Sequence, residues 1–322
     1  MSAAELEAAG LAATDGTAAP GVALQRVSHW YGPVIGLNDV SLEIRPGVTG
    51  LLGPNGAGKS TLMRLVTGQM SPSQGEVTVF GHRPFANPRA LMRLGHSPEH
   101  EELWDHLCGR DHVRALLDYG GFPRREAADL ADAAIARVGL AEAAEKRVGA
   151  YSKGMRQRLR IAQAIAHDPD VVVLDEPLNG LDPVGRREMM DLVRNLGASG
   201  RTVLVSGHVL HEVEKMTRRI VLIHRGRVLA EGTLDEIRRA LDARPHHVRV
   251  ASSDPRALAR LLLEEPGVVS VSFEDGEARF EVKQAGPFFD RLGRIAADGA
   301  IEVREFEATD DNLQAIFDYL VA

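Results

Sequence analysis

The stretch GPNGAGKST, residues 53–61, decides which fold this sequence adopts. It matches the pattern G-x-x-x-x-G-K-[ST] in full, with a short apolar strand, TGLLG, before it and a helical stretch, STLMRLVTGQ, after it. The glycines let the backbone curl so that successive N–H groups point at phosphate oxygens, and the following helix adds the positive end of its dipole. The stretch therefore predicts a phosphate-binding loop, and its strand and helix disfavour the alternative of a chance glycine turn.

Each position of this loop has an expected task. Lys59 is expected to reach the β- and γ-phosphates of a bound nucleotide and to act in catalysis, and the Ser60 hydroxyl is expected to bind Mg²⁺. The other residues of the loop are expected to line the nucleotide: Gly53, Pro54, Asn55, Gly56, Ala57, Gly58 and Thr61. Together these residues predict phosphate binding assisted by a metal ion.

Carboxylates at the end of a second strand extend the predicted site. Residues 171–177 read VVVLDEP, and the four apolar residues predict a buried strand. Asp175 at its C-terminal end is expected to bind Mg²⁺ directly or through water. Glu176 projects in a different direction, so it is expected to polarise an attacking water. Carboxylates also cap strands for solubility, but a tandem pair beside a matched phosphate loop disfavours that alternative.

A histidine follows a third apolar strand. His208 ends the stretch VLVSGH, in a chain that has twelve histidines. A lone histidine is usually structural. Its position at a strand end, like the positions of the other two motifs, nevertheless predicts a phosphate contact and a catalytic role.

The order of strands and helices predicts two domains. Apolar strands that alternate with helices over residues 21–240 indicate an α/β domain with a mixed, largely parallel sheet, and the phosphate loop within it predicts that this domain binds a nucleotide. Residues from about 96–166 are mostly helical and are expected to form a subdomain inserted into that sheet. Residues 243–322 read as a β-α-β-β-α-β order with a closing helix over 310–321, which predicts a small α+β, ferredoxin-like domain. Residues 1–20, rich in Ala, Gly and Thr, are expected to be a flexible tail.

Composition excludes several classes of protein. The chain has 322 residues, of which 44% are hydrophobic and 26% are charged, as in ordinary globular proteins. No run approaches the roughly eighteen apolar residues of a membrane span, and residues 1–20 lack the basic and apolar regions of a secretory signal. Cys108 is the only cysteine, so no intrachain disulfide can form and a cytosolic setting is expected. Its thiol is expected to pack as a small apolar side chain.

Charge is spread unevenly along the chain. The net charge is −7, and residues 241–322 account for all of it, with nine Lys/Arg against sixteen Asp/Glu. This asymmetry marks a composition boundary near residue 240. An acidic segment repels a phosphate backbone, so we expect no nucleic-acid partner there.

Five motifs in a fixed order carry a family resemblance: the phosphate loop, YSKGM, VVVLDEP, GLDP and SGH. They resemble the ATP-binding cassette of ABC transporters over residues 22–237, about two-thirds of the chain. The resemblance implies the P-loop NTPase fold of that cassette, ATP and Mg²⁺ as cofactors, and ATP hydrolysis. It also implies a dimer, because the family's Ser-x-Gly signature segment contacts the γ-phosphate of ATP held by the other subunit.

The signature segment of this chain is YSKGM, where Gly154 stands inside the first turn of a predicted helix. A glycine there costs about 1 kcal/mol relative to alanine. Its missing side chain lets backbone N–H groups approach a phosphate, Ser152 adds a hydroxyl, and the helix dipole favours the negative charge. Lys153 and Met155 replace the commoner glycine and glutamine. This version resembles exporters and multidrug-resistance cassettes that have separate membrane subunits and often an extra C-terminal domain.

The resemblance implies three further roles. Tyr31 in WYG matches the aromatic residue that stacks on adenine, and Trp30 is the alternative. Asp182 in GLDP matches the loop that couples the two ATP sites. Glu99 stands where the family presents a glutamine to Mg²⁺ and signals to the membrane subunit. A glutamate can still bind Mg²⁺, but it adds a negative charge.

We therefore expect the ATPase subunit of an export-type ABC transporter, at the cytoplasmic face of the membrane, working with a separate permease. A homodimer of cassettes is expected, and a heterodimer stays open. The main alternative is an ABC protein of translation or DNA maintenance, which a single cassette and the absence of sustained heptads in the sequence disfavour. A P-loop kinase or GTPase would leave YSKGM unexplained. The acidic C-terminal domain is expected to be regulatory, to stabilise the dimer, or to be an accessory packing domain.

Overall fold

The computed structural model describes residues 19–100, 102–207, 209–233, 236–237, 246–274, 276–283, 285–299 and 301–308. The chain forms two compact units, and the division falls between Thr233 and Leu234. The predicted tail up to residue 18, His208 and the closing helix over 310–321 lie outside the described residues. The domain limits drawn at residues 20, 240 and 243 stay predictions.

The strands of the first unit form two sheets. In chain order they are β1 (Val22–Tyr31), β2 (Val34–Ile44), β3 (Gly47–Leu52), β4 (Gln74–Val79), β5 (Leu94–Ser97), β6 (Val171–Leu174), β7 (Thr202–Gly207), β8 (Arg219–His224) and β9 (Arg227–Thr233). The larger sheet has the order β5-β6-β7-β3-β8-β9, with β9 antiparallel and the other neighbours parallel. Every residue of β6 and β7 is buried, as in a sheet covered on both faces. The predicted mixed, largely parallel sheet is confirmed.

The smaller sheet covers the first helix. The helices of this unit are α1 (Lys59–Val66), α2 (Pro88–Leu91), α3 (Gly109–Tyr119), α4 (Arg124–Arg137), α5 (Lys153–Ile165), α6 (Pro183–Ala198) and α7 (Leu210–Met216). The smaller sheet is antiparallel in the order β2-β1-β4. Leu24 of β1, Leu51 of β3 and Leu62 of α1 lie in one buried cluster. Because β3 and α1 are both anchored there, the loop between them is held firmly at the edge of the sheet.

Helices α3, α4 and α5 contribute to the helical block between β5 and β6. Ala127, Ala131 and Ala134 recur on one face of α4 and are all buried, so neighbouring helices can approach closely. Cys108 is half-buried and caps α3, where its sulfur accepts a hydrogen bond from the Asp111 N–H. Burial raises the pKa of this thiol. Within the described ranges, no helix is both long enough and apolar enough to cross a bilayer.

The second unit has the predicted ferredoxin-like order. Its elements are β10 (His246–Ser252), α8 (Pro255–Leu262), β11 (Val268–Glu274), β12 (Glu277–Val282), α9 (Ala285–Ala297) and β13 (Val303–Ala308). The strands form an antiparallel sheet in the order β11-β12-β10-β13. Phe280 of β12 packs against Phe288 of α9, with ring centroids 5.2 Å apart. The last strand begins at Val303 and pairs with β10.

Candidate functional site

The phosphate loop joins β3 to α1 at the carboxyl end of the parallel strands. Gly56 and Gly58 have φ of 77° and 110°, in the left-handed region that favours glycine. At Gly58 a β-carbon would also lie 2.7 Å from the Gly36 carbonyl oxygen. Since α1 begins at Lys59, the free N–H groups of its first turn face the space beyond the loop.

Lys59 lies inside this loop. The residue is only 8% exposed, and its Nζ donates to the carbonyl oxygens of Gly53 and Pro54, at 2.6 and 3.3 Å. Carbonyl groups compensate only part of the cost of burying a cation. An anion bound in the loop would give the ammonium a stronger, charge-assisted partner. The loop thus has the electrostatics that a phosphate group requires.

Asp175 follows the buried strand β6 and is held on two sides. Its N–H donates to the Ser97 carbonyl at 2.8 Å, and its Oδ1 accepts from the Ser206 hydroxyl at 2.5 Å. A carboxylate has several further acceptor sites, so this bond leaves Asp175 able to bind a cation. Ser206 lies at the end of β7, the strand between β6 and β3. The Asp175 carboxylate and the phosphate loop therefore flank the same strand end.

Ser206 is a residue whose role the sequence analysis missed. It is 1% exposed, and its oxygen also accepts from the Glu176 N–H at 2.8 Å. One hydroxyl therefore fixes both carboxylate residues. The motif SGH, which was examined only for its histidine, contained this signal: a serine at the end of a buried strand needs a partner. His208 itself lies outside the described residues.

Glu176 has an unusual backbone. Its φ is 50°, in the left-handed region that residues other than glycine seldom adopt. Such strained positions cluster at functional sites, where the surrounding structure enforces them.

Glu99 lies on the neighbouring strand end. It is exposed in the bend after β5, and β5 pairs in parallel with β6 so that Ser97 lies opposite Leu174. Glu99 and Asp175 thus extend from adjacent strands at one edge of the sheet.

His96 is a further residue that the sequence analysis missed. Burial lowers its pKa, which the charge of Asp175 partly opposes, and Gln69 is hydrogen-bonded to its Nδ1 at 3.0 Å.

The signature segment forms the start of α5, as predicted. Ser152 caps the helix, and its Oγ accepts from the Met155 N–H at 3.2 Å, so its own proton stays available to an acceptor. A β-carbon at Gly154 would lie 3.3 Å from the Gly180 carbonyl oxygen. The glycine therefore also lets this helix end pack against the GLDP loop. Asp182 of that loop is exposed and caps α6, with Oδ1 accepting from the Gly185 N–H at 3.0 Å.

Tyr31 lies beside the phosphate loop. Its hydroxyl is 3.4 Å from Thr61 Oγ1 and 3.5 Å from the sulfur of Met70, and the side chain stays accessible, at 42% exposed. Successive residues of a strand point to opposite faces, so Trp30 points away from the face that Tyr31 occupies. The geometry favours Tyr31 over Trp30 as the aromatic residue of the site.

Known proteins resemble this chain over most of its length. The family described as ABC transporter matches residues 37–179. The daunorubicin/doxorubicin resistance ATP-binding protein DrrA of Streptomyces peucetius is 33% identical, over 89% of this chain and 88% of that protein. The bacitracin transport ATP-binding protein BcrA of Bacillus licheniformis is 29% identical, over 92% and 95%. Against three further curated relatives the match spans 61–66% of their length.

A solved structure shows the same fold. The cassette MJ0796, described as a dimeric bacterial ABC transporter cassette, has a TM-score of 0.61 and is 24% identical, over 66% of this chain and 98% of that one. The same cassette was solved as a dimer in a post-hydrolysis state bound to ADP and Pi. At this identity the likeness establishes the fold alone.

Proposed function

Since the chain belongs to the family of ABC transporter ATP-binding proteins, we propose that it hydrolyses ATP within a cassette dimer and powers a separate membrane permease. One observation supports this proposal above the others. The phosphate loop lies at the same edge of the six-stranded sheet as Asp175 and Glu176, and both of these residues are hydrogen-bonded to Ser206. A homodimer at the cytoplasmic face of the membrane is the arrangement we propose, with a heterodimer as the alternative. Relatives named for drug resistance and for bacitracin transport favour export.

The phosphate loop binds the triphosphate in this scheme. Residues 53–61 direct backbone N–H groups and the start of α1 at the phosphates. Lys59 exchanges its two carbonyl partners for phosphate oxygens and neutralises their charge. Tyr31, accessible beside Thr61, stacks on the adenine.

The residues present fit Mg²⁺, which prefers oxygen ligands in an octahedral arrangement. The oxygen donors of this site are the Ser60 hydroxyl and the Asp175 and Glu99 carboxylates. When bound, the ion neutralises charge that develops on the phosphates. Ser60, Asp175 and Glu99 would hold the ion, and Ser206 fixes the Asp175 carboxylate through a hydrogen bond to Oδ1.

Glu176 is the residue we assign to the attacking water. A carboxylate accepts a proton and orients water at the terminal phosphate. Its backbone N–H and the Asp175 carboxylate share the Ser206 hydroxyl, which keeps the backbone of Glu176 in place beside Asp175. His208 lies outside the described residues, and we assign it a phosphate contact from its position in the sequence alone. Closure of the dimer on ATP and its reopening after product release would drive the permease.

The helix end at Ser152 and Gly154 completes a site shared between two copies. The Ser152 proton and the N–H groups of the first turn of α5 are directed at the γ-phosphate held by the partner. Asp182 sits at the exposed tip of the adjacent loop, where it couples the two sites. Each ATP then contacts Lys59 of one copy and Gly154 of the other.

Mixing two inactive variants tests this arrangement. Lys59→Ala removes the cation from the phosphates, and Gly154→Asp places a carboxylate where an anion must bind, so each homodimer should be inactive. In a mixed dimer both defects fall on one composite site, and the other site is wholly wild type. ATPase activity should therefore reappear on mixing. If the sites are independent, each mixed dimer should work at about half of the wild-type rate, and a fully exchanged 1:1 mixture, in which about half of the dimers are mixed, should reach about a quarter of it.

Subunit exchange between differently tagged copies is the control for that mixture. Exchange without any return of activity would argue against a shared site. Wild-type protein that binds ATP but does not hydrolyse it, alone or with its permease, would refute the proposed activity itself.

A further inference from the structure

The side chain of Gln157 reaches the backbone of the loop that carries Glu176. Gln157 lies in α5, one turn after Gly154, and is 2% exposed. Its Nε2 is 3.3 Å from the Pro177 carbonyl oxygen and 3.5 Å from the Glu176 carbonyl oxygen. A buried amide that donates to these two successive carbonyls holds the chain immediately after Glu176.

Arg160 fixes which end of the amide faces this loop. Its Nη1 donates to Gln157 Oε1 at 3.0 Å. A guanidinium can only donate, so the atom that it contacts must be the amide oxygen, and the NH₂ group must be the end that meets the carbonyls. The orientation of the amide thus follows from its partners on both sides.

The backbone of Glu176 is held at both of its ends. Its N–H donates to the Ser206 hydroxyl, and its carbonyl lies beside the Gln157 amide. Between these two contacts the residue has a φ of 50°. A conformation of this kind persists only where neighbouring groups enforce it. Ser206 and Gln157 are two of those groups, and they come from different parts of the first unit.

Helix α5 contacts the same loop further along. A β-carbon at Gly154 would lie 3.3 Å from the Gly180 carbonyl oxygen, and one at Gly180 would lie 2.8 Å from Lys153 Cγ. The first turn of α5 therefore rests on the loop that begins at Glu176. This first turn is also the part of the helix that the proposed function directs at the partner's ATP.

We propose that Gln157 is a positioning residue that ties the direction of the Glu176 carboxylate to the seating of helix α5. The inference rests on the proposed function. In the dimer, the N-terminus of α5 binds the ATP held by the partner. The Gln157 amide, one turn further along the helix, then transmits the position of α5 to Glu176, which serves the ATP held by its own chain. The link is built into a single chain and requires no movement of Ser206.

The test is Gln157→Met, which keeps the length of the side chain and removes its donors. A carboxylate displaced from its working direction loses rate without loss of nucleotide binding, so kcat should fall by about tenfold to hundredfold. The KM and the directly measured Kd for ATP should stay within about twofold of wild type. Gln157→Glu, which keeps the shape but turns an acceptor toward the carbonyls when ionised, is the second variant.

Gln163→Met is the matched control. Gln163 belongs to the same helix, and its Oε1 is 2.9 Å from Nε2 of His112 in α3. Both substitutions remove one amide from α5, so similar thermal stabilities with a kcat loss confined to the Gln157 variants would support the inference. An unchanged kcat in both Gln157 variants, or an equal loss in Gln163→Met, would overturn it. Loss of ATP hydrolysis by wild-type protein would instead count against the proposed function.

Discussion

The two units of this chain use charged side chains in opposite ways. In the second unit, Arg249 on β10 pairs with Glu277, Glu305 and Glu307 at 2.9, 3.3 and 3.1 Å. One guanidinium here is shared by three carboxylates, two of which are exposed, so the excess negative charge faces solvent. In the first unit, Lys59 is buried against two carbonyl groups. A buried cation with no carboxylate partner among the described residues indicates a site for an outside anion, whereas carboxylates around one arginine on a partly exposed sheet indicate a solvated surface.

The carboxylate residues of the two units also differ in how far they are buried. Asp175 is 8% exposed at the end of a wholly buried strand, and its carboxylate accepts a hydrogen bond from the neutral Ser206 hydroxyl. Glu277 lies on a strand that alternates between buried and accessible residues. The burial and the partners of a carboxylate therefore say more about function than the number of carboxylates does. The acidic excess of the chain lies in residues 241–322, to which no motif of the site belongs.

The largest expected difference between the units follows from changing one carboxylate in each to an amide. Glu176→Gln should slow ATP turnover by orders of magnitude, since general base assistance is worth about 10²–10⁴-fold, while ATP binding persists and dimers accumulate. Glu277→Gln is the matched change in the second unit and should leave kcat within about twofold of wild type. Steady-state ATPase assays and size-exclusion chromatography with ATP measure both. Near-normal hydrolysis by Glu176→Gln would remove Glu176 from its assigned role.

A core substitution in the second unit tests whether catalysis in the first unit depends on the second. Phe280 is fully buried against Phe288, so Phe280→Ala should destabilise that unit by about 3–5 kcal/mol. Denaturant unfolding followed by circular dichroism should show an early transition that the wild type lacks. ATPase activity measured below that transition should stay near the wild-type rate. A parallel fall in kcat would mean that the first unit depends on the second for catalysis.

A smaller effect is expected at Glu99, one of the positions where the sequence departs from its family. If this carboxylate approaches the metal, Glu99→Gln should shift the Mg²⁺ concentration that supports half-maximal hydrolysis. Glu99→Ala should weaken the link between hydrolysis and transport. The measurements are a Mg²⁺ titration of ATPase activity and an assay of transport by the reconstituted complex. An unchanged titration together with intact transport in both variants would refute the assignment.

The smallest expected effect is a pH dependence of stability in the first unit. Burial lowers the pKa of His167, whose Nε2 is 3.0 Å from the Leu94 carbonyl oxygen. As pH falls below about 6.5, the unfolded chain takes up a proton there that the folded protein does not, so the free energy of unfolding decreases. The denaturant midpoint should therefore drop between about pH 7.5 and about pH 5.5, and His167→Gln should reduce that drop. An identical pH profile in the variant would exclude His167 as a source.

The fold class, and the place of the phosphate loop between β3 and α1, were predictable from the sequence. Buried strands, a matched loop and an alternating order of elements are local patterns, and local patterns can be read from neighbouring residues. The β-α-β-β-α-β order of the second unit was predictable for the same reason. The roles assigned to Glu176, Asp175 and Glu99 stay predictions that the observed geometry supports.

The residues that hold those groups in place became apparent only in the folded protein. Ser206 and Gln157 are each about 20–30 positions from Glu176, and no spacing rule connects a helix residue with a carbonyl of a distant loop. The residues DEP likewise give no indication that the backbone of Glu176 adopts a left-handed conformation. Hydrogen bonds between separate elements depend on how strands align and how helices pack. That packing is set by the whole core of the first unit, whereas each motif is set by its own few residues.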